Sequence, residues 1–398
     1  MTTGRTTNDT TTTGTTPEEP DDTAIRRFEI HVPDSAVDDL KERLAKVRFP
    51  EKETVADWSQ GIPLEYTRRL CRIWRDEYDW RTVETEINRR DQWITRIDGL
   101  DIHYLHVRSA RPDARPLLIT HGWPGSVVEA LDVIDGLVEP PADQPAFHLV
   151  IPSLPGYGFS GKPAGPGWNL DRIADAWAQL MARLGYDRFL AQGGDWGAMI
   201  TTTLALRHPE RVAMMHTTVP WVLRPTWFDD KDLSDLERRW LAEREEFVRT
   251  GTGYAAEQST KPQTLGYGLT DSPAGQLAWI VEKFFEFTDN DSGPESAVPL
   301  KRILDNLSVY WFTATAASAA RLYWESHGRM DMTAPVTVPA GVSVFPRDLM
   351  KLPRAWTADR FKDLRHWRAL DRGGHFAMLE VPDVFVSEVR ECFSKADR

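Results

Sequence analysis

One short run constrains this chain more than any other: Gly193-Gly194-Asp195-Trp196-Gly197. It follows the apolar stretch Arg188-Phe189-Leu190-Ala191 and precedes a helical run that continues from Ala198 to Leu206. Small residues around one central side chain are what a strand needs to turn abruptly into a helix, because bulk there would meet the neighbouring helix or strand. The central residue is an aspartate, already an anion at neutral pH. It can attack an sp³ carbon bearing a leaving oxygen or halide with no base to deprotonate it first. The resulting ester has its carbonyl on the enzyme, and water must then attack that carbonyl.

The rest of the chain supplies a sheet for such a turn. Residues 116–120, 147–151, 188–191, 212–217, 336–344 and 366–370 read as short apolar strands, with helical runs at 126–137 and 170–184 between them. Strands alternating with helices imply an α/β fold with a mostly parallel sheet covered on both faces. Residues 92–108 change to a two-residue period, two strands joined at Gly99-Leu100. A helix is expected from Asp34, capped by Asp34 or Ser35, with Val37, Leu40, Leu44 and Val47 on one face. Trp58, Trp74, Trp80 and Trp93 sit among charged helix formers and read as packing residues of a meander. The expected division is a disordered Thr-rich tail at 1–24, a wrapping meander at 25–91, a first core part at 92–220, a helical lid at 221–330 and a second core part at 331–398.

Composition narrows the partners. A net charge of −12 argues against nucleic acid and against an anionic membrane surface. Cys71 and Cys392 give neither a disulfide framework nor a metal spacing, and read as free thiols of a reducing, cytoplasmic setting. No apolar run approaches the roughly 18 residues of a membrane span, and no secretory signal is visible. No cofactor or metal is expected. A homodimer is common for enzymes of this size.

Asp195 requires a base and an orienting acid. Gly373-Gly374-His375-Phe376 follows the last expected strand and delivers His375 on a loop. Asp348, just past the strand ending at Val344, is the acid of choice; Asp371 is nearer in sequence but lies at a strand end. Asp348 would hold one ring nitrogen of His375 and stabilise the imidazolium that forms when His375 takes a proton from water. His121-Gly122-Trp123-Pro124-Gly125-Ser126 follows another strand, and the backbone N–H groups of Trp123 and Trp196 are the expected oxyanion donors. His121 itself reads as a structural pin of that loop. His103 and His106 point to opposite faces of a strand and make no metal pair. A leaving oxygen also needs a proton donor, a part that tyrosine suits. Spacing alone does not choose among Tyr254, Tyr267, Tyr310 and Tyr323.

Taken together, the chain resembles the microsomal-type epoxide hydrolase family. The matching pieces are His121–Ser126, Gly193–Gly197, Thr260-Lys261-Pro262, Asp271-Ser272-Pro273, Tyr310-Trp311, Phe345-Pro346-Arg347-Asp348 and Gly373–Phe376. The resemblance spans residues 26 to about 395. It implies an α/β-hydrolase fold with a helical lid and an N-terminal meander wrapping the core. It implies Asp195 as nucleophile, His375 as base, Asp348 as orienting acid, and Tyr254 and Tyr323 as the lid phenols. Many relatives carry glutamate where this chain has Asp348. Membrane-bound relatives begin with an apolar anchor; here the front is polar, so a soluble enzyme is expected. The implied reaction opens a small apolar epoxide to a vicinal diol, in detoxification or biosynthesis. The competing expectation is a haloalkane dehalogenase with the same Asp-His-Asp triad, which has no need of two lid tyrosines.

Overall fold

The computed structural model describes residues 23–397. All but the last two residues of the expected tail lie outside that range. The strands are β1 (Ile25–Arg27), β2 (Gln92–Ile97), β3 (Leu100–Val107), β4 (Arg115–Thr120), β5 (Phe147–Pro152), β6 (Phe189–Gly193), β7 (Val212–Thr217), β8 (Val336–Val344) and β9 (Phe361–Ala369). They form one sheet in the order β1-β2-β3-β5-β4-β6-β7-β8-β9. The four strands at the β1 end pair antiparallel, and everything from β5 onward pairs parallel. Apolar side chains on the two faces of the sheet form two large buried clusters. A mostly parallel sheet is what alternating strands and helices predict, and the arrangement is the α/β-hydrolase fold that the resemblance implies. In an open parallel sheet, side chains at the carboxyl ends converge where the chain order switches. The loops after β4, β6, β8 and β9 therefore share one edge.

The amino-terminal segment wraps the sheet with three helices, Asp34–Ala45, Leu64–Asp76 and Trp80–Asn88. Trp74 and Trp80 are buried, and Trp58 stacks on Phe285 at 4.0 Å, so these tryptophans pack as expected. The first helix does begin at Asp34, but Pro33 precedes it with no side-chain cap; Asp34 pairs with Arg81 instead. The helical run expected at 126–137 is broken into a 3₁₀ turn, Val127–Ala130, and a short helix, Ile134–Val138. Ser126 explains the break: its hydroxyl accepts from Val128 N–H and donates to Asn306, fixing the chain in a turn. The last strand starts at Phe361, five residues before the expected 366. Its register shifts against β8 disrupt the regular period there.

Between β7 and β8 the chain leaves the sheet for helices that include Asp235–Thr250, Gly253–Thr260, Pro262–Asp271, Pro273–Phe287, Leu300–Thr313 and Ala316–Ser326. This lid packs on the wrapping segment: Trp74 Nε1–H donates to Ser308 and the Tyr78 hydroxyl to Asp305. Arg302 bridges Glu86 and Asp132. Among the described residues no helix is long and apolar enough to cross a membrane.

Candidate active site

Asp195 is the first residue of the helix Asp195–Arg207, directly after β6. Its φ is +51°, in the left-handed region that non-glycine residues seldom occupy. The neighbours make the turn possible by having no side chains. A Cβ at Gly197 would stand 1.9 Å from the Thr120 carbonyl oxygen, and one at Gly122 would stand 2.2 Å from Asp195 Oδ1. The strained turn lifts the carboxylate off the end of β6 and against the loop after β4.

That loop holds one carboxylate oxygen. The Trp123 N–H donates to Asp195 Oδ1 at 2.8 Å. The Trp123-Pro124 peptide bond is cis. The lid secures the loop from above: Asn306 donates to the Pro124 carbonyl at 2.7 Å and the Tyr310 hydroxyl to the Gly125 carbonyl at 2.9 Å. Tyr310 is thereby engaged in holding the loop. His121 secures it from below, accepting from Leu154 N–H at Nε2 and donating from Nδ1 to the Gly122 carbonyl. Burial pushes its pKa down to about 4, so the ring is neutral, as that bonding requires.

The other carboxylate oxygen faces the histidine. His375 Nε2 lies 3.3 Å from Asp195 Oδ2, and His375 Nδ1 lies 2.8 Å from Asp348 Oδ1. Asp348 is buried, and its Oδ1 also accepts from Leu349 N–H at 2.6 Å. Asp371, by contrast, is exposed at the end of β9. The two loops are tied to each other and to the lid: Arg347 N–H donates to Gly373 O, and His375 N–H to Phe287 O. Burial alone would lower the His375 pKa. Asp348 and Asp195 outweigh it and hold the imidazolium well above the usual histidine range.

Tyr254, on the helix Gly253–Thr260, and Tyr323, on Ala316–Ser326, both rest on Trp123. Tyr254 stacks on its indole at 5.0 Å and Tyr323 meets it edge-on at 5.8 Å. Tyr323 also packs against the Trp196 ring at 4.7 Å. Burial, reinforced by the Asp195 charge, raises both phenols well above 10, so both carry their protons at neutral pH. Tyr267 is 71% exposed and takes no part. In this conformation Asp195 Oδ1 accepts from Trp123 N–H, and the Trp196 contribution visible at the site is its ring. His103 is bonded to Ser153 and Gln92, and His106 to the Tyr186 hydroxyl.

Two buried charged residues at the site escape sequence reasoning. Glu129 lies in the 3₁₀ turn after the oxyanion loop and lines a small cavity with Asp195 and His375; burial pushes its pKa up to about 8. Lys283 is buried in the lid helix Pro273–Phe287, its ammonium 4.7 Å from the Tyr254 ring centre and 2.6 Å from Glu286. The available signal in each case was a charged residue inside an apolar run.

Comparison with known proteins decides the family. Residues 25–130 match the family described as epoxide hydrolase N terminus, and residues 115–270 match the alpha/beta hydrolase fold. A Stigmatella aurantiaca protein carrying a provisional epoxide hydrolase name is 51% identical over 93% of this chain and 84% of its own length. The chain belongs to the microsomal-type epoxide hydrolase family. Epoxide hydrolase 1 of Sus scrofa is 33% identical over 95% of this chain and 90% of that protein. Among solved structures, juvenile hormone epoxide hydrolase from Bombyx mori superposes with a TM-score of 0.88 at 31% identity, covering 94% of each chain. The Aspergillus niger epoxide hydrolase gives 0.87 at 33% identity, covering 94% of this chain and 97% of that one.

Proposed function

We propose that this epoxide hydrolase opens its substrate through a covalent ester on Asp195. Asp195 Oδ1 is held by the Trp123 N–H and becomes the ester carbonyl oxygen; Oδ2 attacks the epoxide carbon. As the C–O bond breaks, Tyr254 and Tyr323 hydrogen-bond the developing alkoxide and one of them protonates it. Water then attacks the Asp195 carbonyl carbon while His375, oriented by Asp348, takes its proton. The Trp123 N–H and the proposed second donor, Trp196 N–H, stabilise the tetrahedral oxyanion, each worth about 3–4 kcal/mol of barrier. The diol oxygen departs with the proton from His375.

The pair of protonated phenols carries the preference for an epoxide over a halide. A departing halide needs no proton, whereas an alkoxide in a buried site does. The substrate class is a small apolar epoxide, in keeping with the aromatic surround of Trp123, Trp196 and Phe287. The test is a single turnover of a styrene-oxide-like compound in ¹⁸O-labelled water. Label is expected in the Asp195 carboxylate and not in the first diol, and His375→Gln is expected to trap the ester as a mass adduct. Label appearing directly in the first diol would refute the covalent route.

A further inference from the structure

A cavity of about 20 Å³ opens beside Asp195, lined among others by His375, Glu129, Gln192, Thr218 and Gly122; neither lid tyrosine borders it. That volume admits about one water molecule, and a water so enclosed needs two to four polar partners. The lining supplies them. Gln192 stands on β6, three residues before Asp195, and its buried Oε1 has no hydrogen-bond partner among the described residues. A buried amide oxygen left unpaired is costly, and because Gln192 lines this polar cavity its amide calls for a ligand there. Glu129 reaches the cavity only because residue 125 is glycine: a Cβ there would overlap its carboxyl oxygen. Thus two independent elements, a strand and a 3₁₀ turn, bring uncharged polar groups to one water-sized space on the histidine side of the nucleophile.

We propose that this cavity seats the hydrolytic water, with Glu129 and Gln192 positioning it against the Asp195 carbonyl carbon within reach of His375 Nε2. The inference rests on the covalent route through Asp195. The water oxygen bonds to Cγ of the ester and one of its protons passes to His375. Its other hydrogen is held by Gln192 Oε1. Glu129 is a neutral acid at pH 7 because burial raises its pKa to about 8, so it donates to a water lone pair and leaves the other aimed at Cγ. On collapse the bond from Cγ to the diol oxygen breaks, and that oxygen takes the proton from His375. The new Asp195 carboxyl then gives its own proton to His375, restoring the carboxylate–imidazolium pair.

The decisive measurement separates ester formation from ester hydrolysis by rapid quench with intact-mass detection of the adduct, using Glu129→Leu, Glu129→Gln and the near-isosteric Gln192→Met. Each lost hydrogen bond is expected to slow hydrolysis roughly tenfold, while ester formation stays within about twofold. Glu129→Gln, whose amide still donates, is expected to recover most of the rate lost in Glu129→Leu. Unchanged hydrolysis in Glu129→Leu and Gln192→Met would overturn the proposal, as would an equal loss in both steps. His375→Gln is the control: no adduct in that variant sinks the covalent reading itself, whereas an adduct there with normal hydrolysis in the other variants sinks only the water seat.

Discussion

Replacing Asp348 by asparagine tests the charge on the triad with little change in its shape. Asparagine can keep an oxygen 2.8 Å from His375 Nδ1 and in reach of Leu349 N–H, so both hydrogen bonds persist while the negative charge is lost. Two unit charges at that separation attract by about 6 kcal/mol at an effective dielectric near 20. Part of that attraction offsets desolvation of the buried pair, and the difference between a charged and a neutral hydrogen bond sets a lower limit of about 1–2 kcal/mol. At about 1.4 kcal/mol per tenfold in rate, ester hydrolysis should slow on the order of a hundred- to a thousandfold. Ester formation depends on Asp195 being anionic, which Asp348 does not govern, so it should change only a few-fold. Rapid-quench sampling with intact-mass analysis should therefore find the variant mostly esterified at steady state. Asp348→Glu, which restores the charge on a longer arm, should return most of the turnover. Equal slowing of both steps, or full turnover by Asp348→Asn, would refute the assignment of Asp348 as the charge that supports His375.

The remaining expectations follow from other parts of the site. Tyr254→Phe and Tyr323→Phe should each slow ester formation from an epoxide by about 10- to 100-fold, the worth of a hydrogen bond to a charged group, and leave ester hydrolysis nearly unchanged; a double variant with intact epoxide opening would remove the phenols from the mechanism. Gly122→Ala should cost most of the activity, since its Cβ would fall 2.2 Å from Asp195 Oδ1; a fully active Gly122→Ala enzyme would show that the oxygen is not held as described. Glu129 sets a stability trend: burial lifts its folded pKa to about 8 from an ordinary 4.5, so the folded chain keeps a proton that the unfolded chain loses. Its contribution to stability is complete below about pH 4.5 and is lost as pH rises toward 8, at up to about 1.4 kcal/mol per pH unit. Glu129→Gln should flatten that part of the Tm profile between pH 5 and 9, and an unchanged profile would show that Glu129 ionises normally.

The parts legible in the sequence are those where backbone strain or strand position forces a residue type. Gly193, Gly194 and Gly197 flank an abrupt turn, and that turn displays the Asp195 carboxylate beyond the end of β6. His375 and Asp348 were readable because each comes shortly after an expected strand, and strand ends in a parallel sheet share an edge. The tyrosines were not, on spacing alone. Tyr254 and Tyr323 lie on separate lid helices 69 residues of chain apart, and only tertiary packing on Trp123 distinguishes them from Tyr310, which is spent on the Gly125 carbonyl. Glu129 and Lys283 were hidden for a related reason. A charged residue in a largely apolar run reads equally as a solvated position, and burial becomes visible only when the opposing element is in place. Helix ends failed at Ser126, where a side-chain bond to the lid overrides the local helical pattern.

On the proposed covalent route, the electrostatics of the site would also set the order of events. In the resting site His375 stands between two carboxylates and is held as an imidazolium. A protonated histidine cannot serve as a base, so the free enzyme is not yet equipped to activate water. Esterification removes one of the two charges, the one 3.3 Å from Nε2. Burial, which alone lowers the histidine pKa, is then opposed chiefly by Asp348. The imidazolium sheds its proton as the ester forms, and that proton balances the one given by a phenol to the alkoxide. The base therefore comes into being together with the intermediate that needs it. On this account the pH dependence of ester hydrolysis should show a lower apparent pKa than the histidine of the free enzyme, measured by rapid quench across pH 5–10 against an NMR titration of His375. Coincident values would mean that the Asp195 charge does not control His375, and the coupling between the two steps would have to be sought elsewhere.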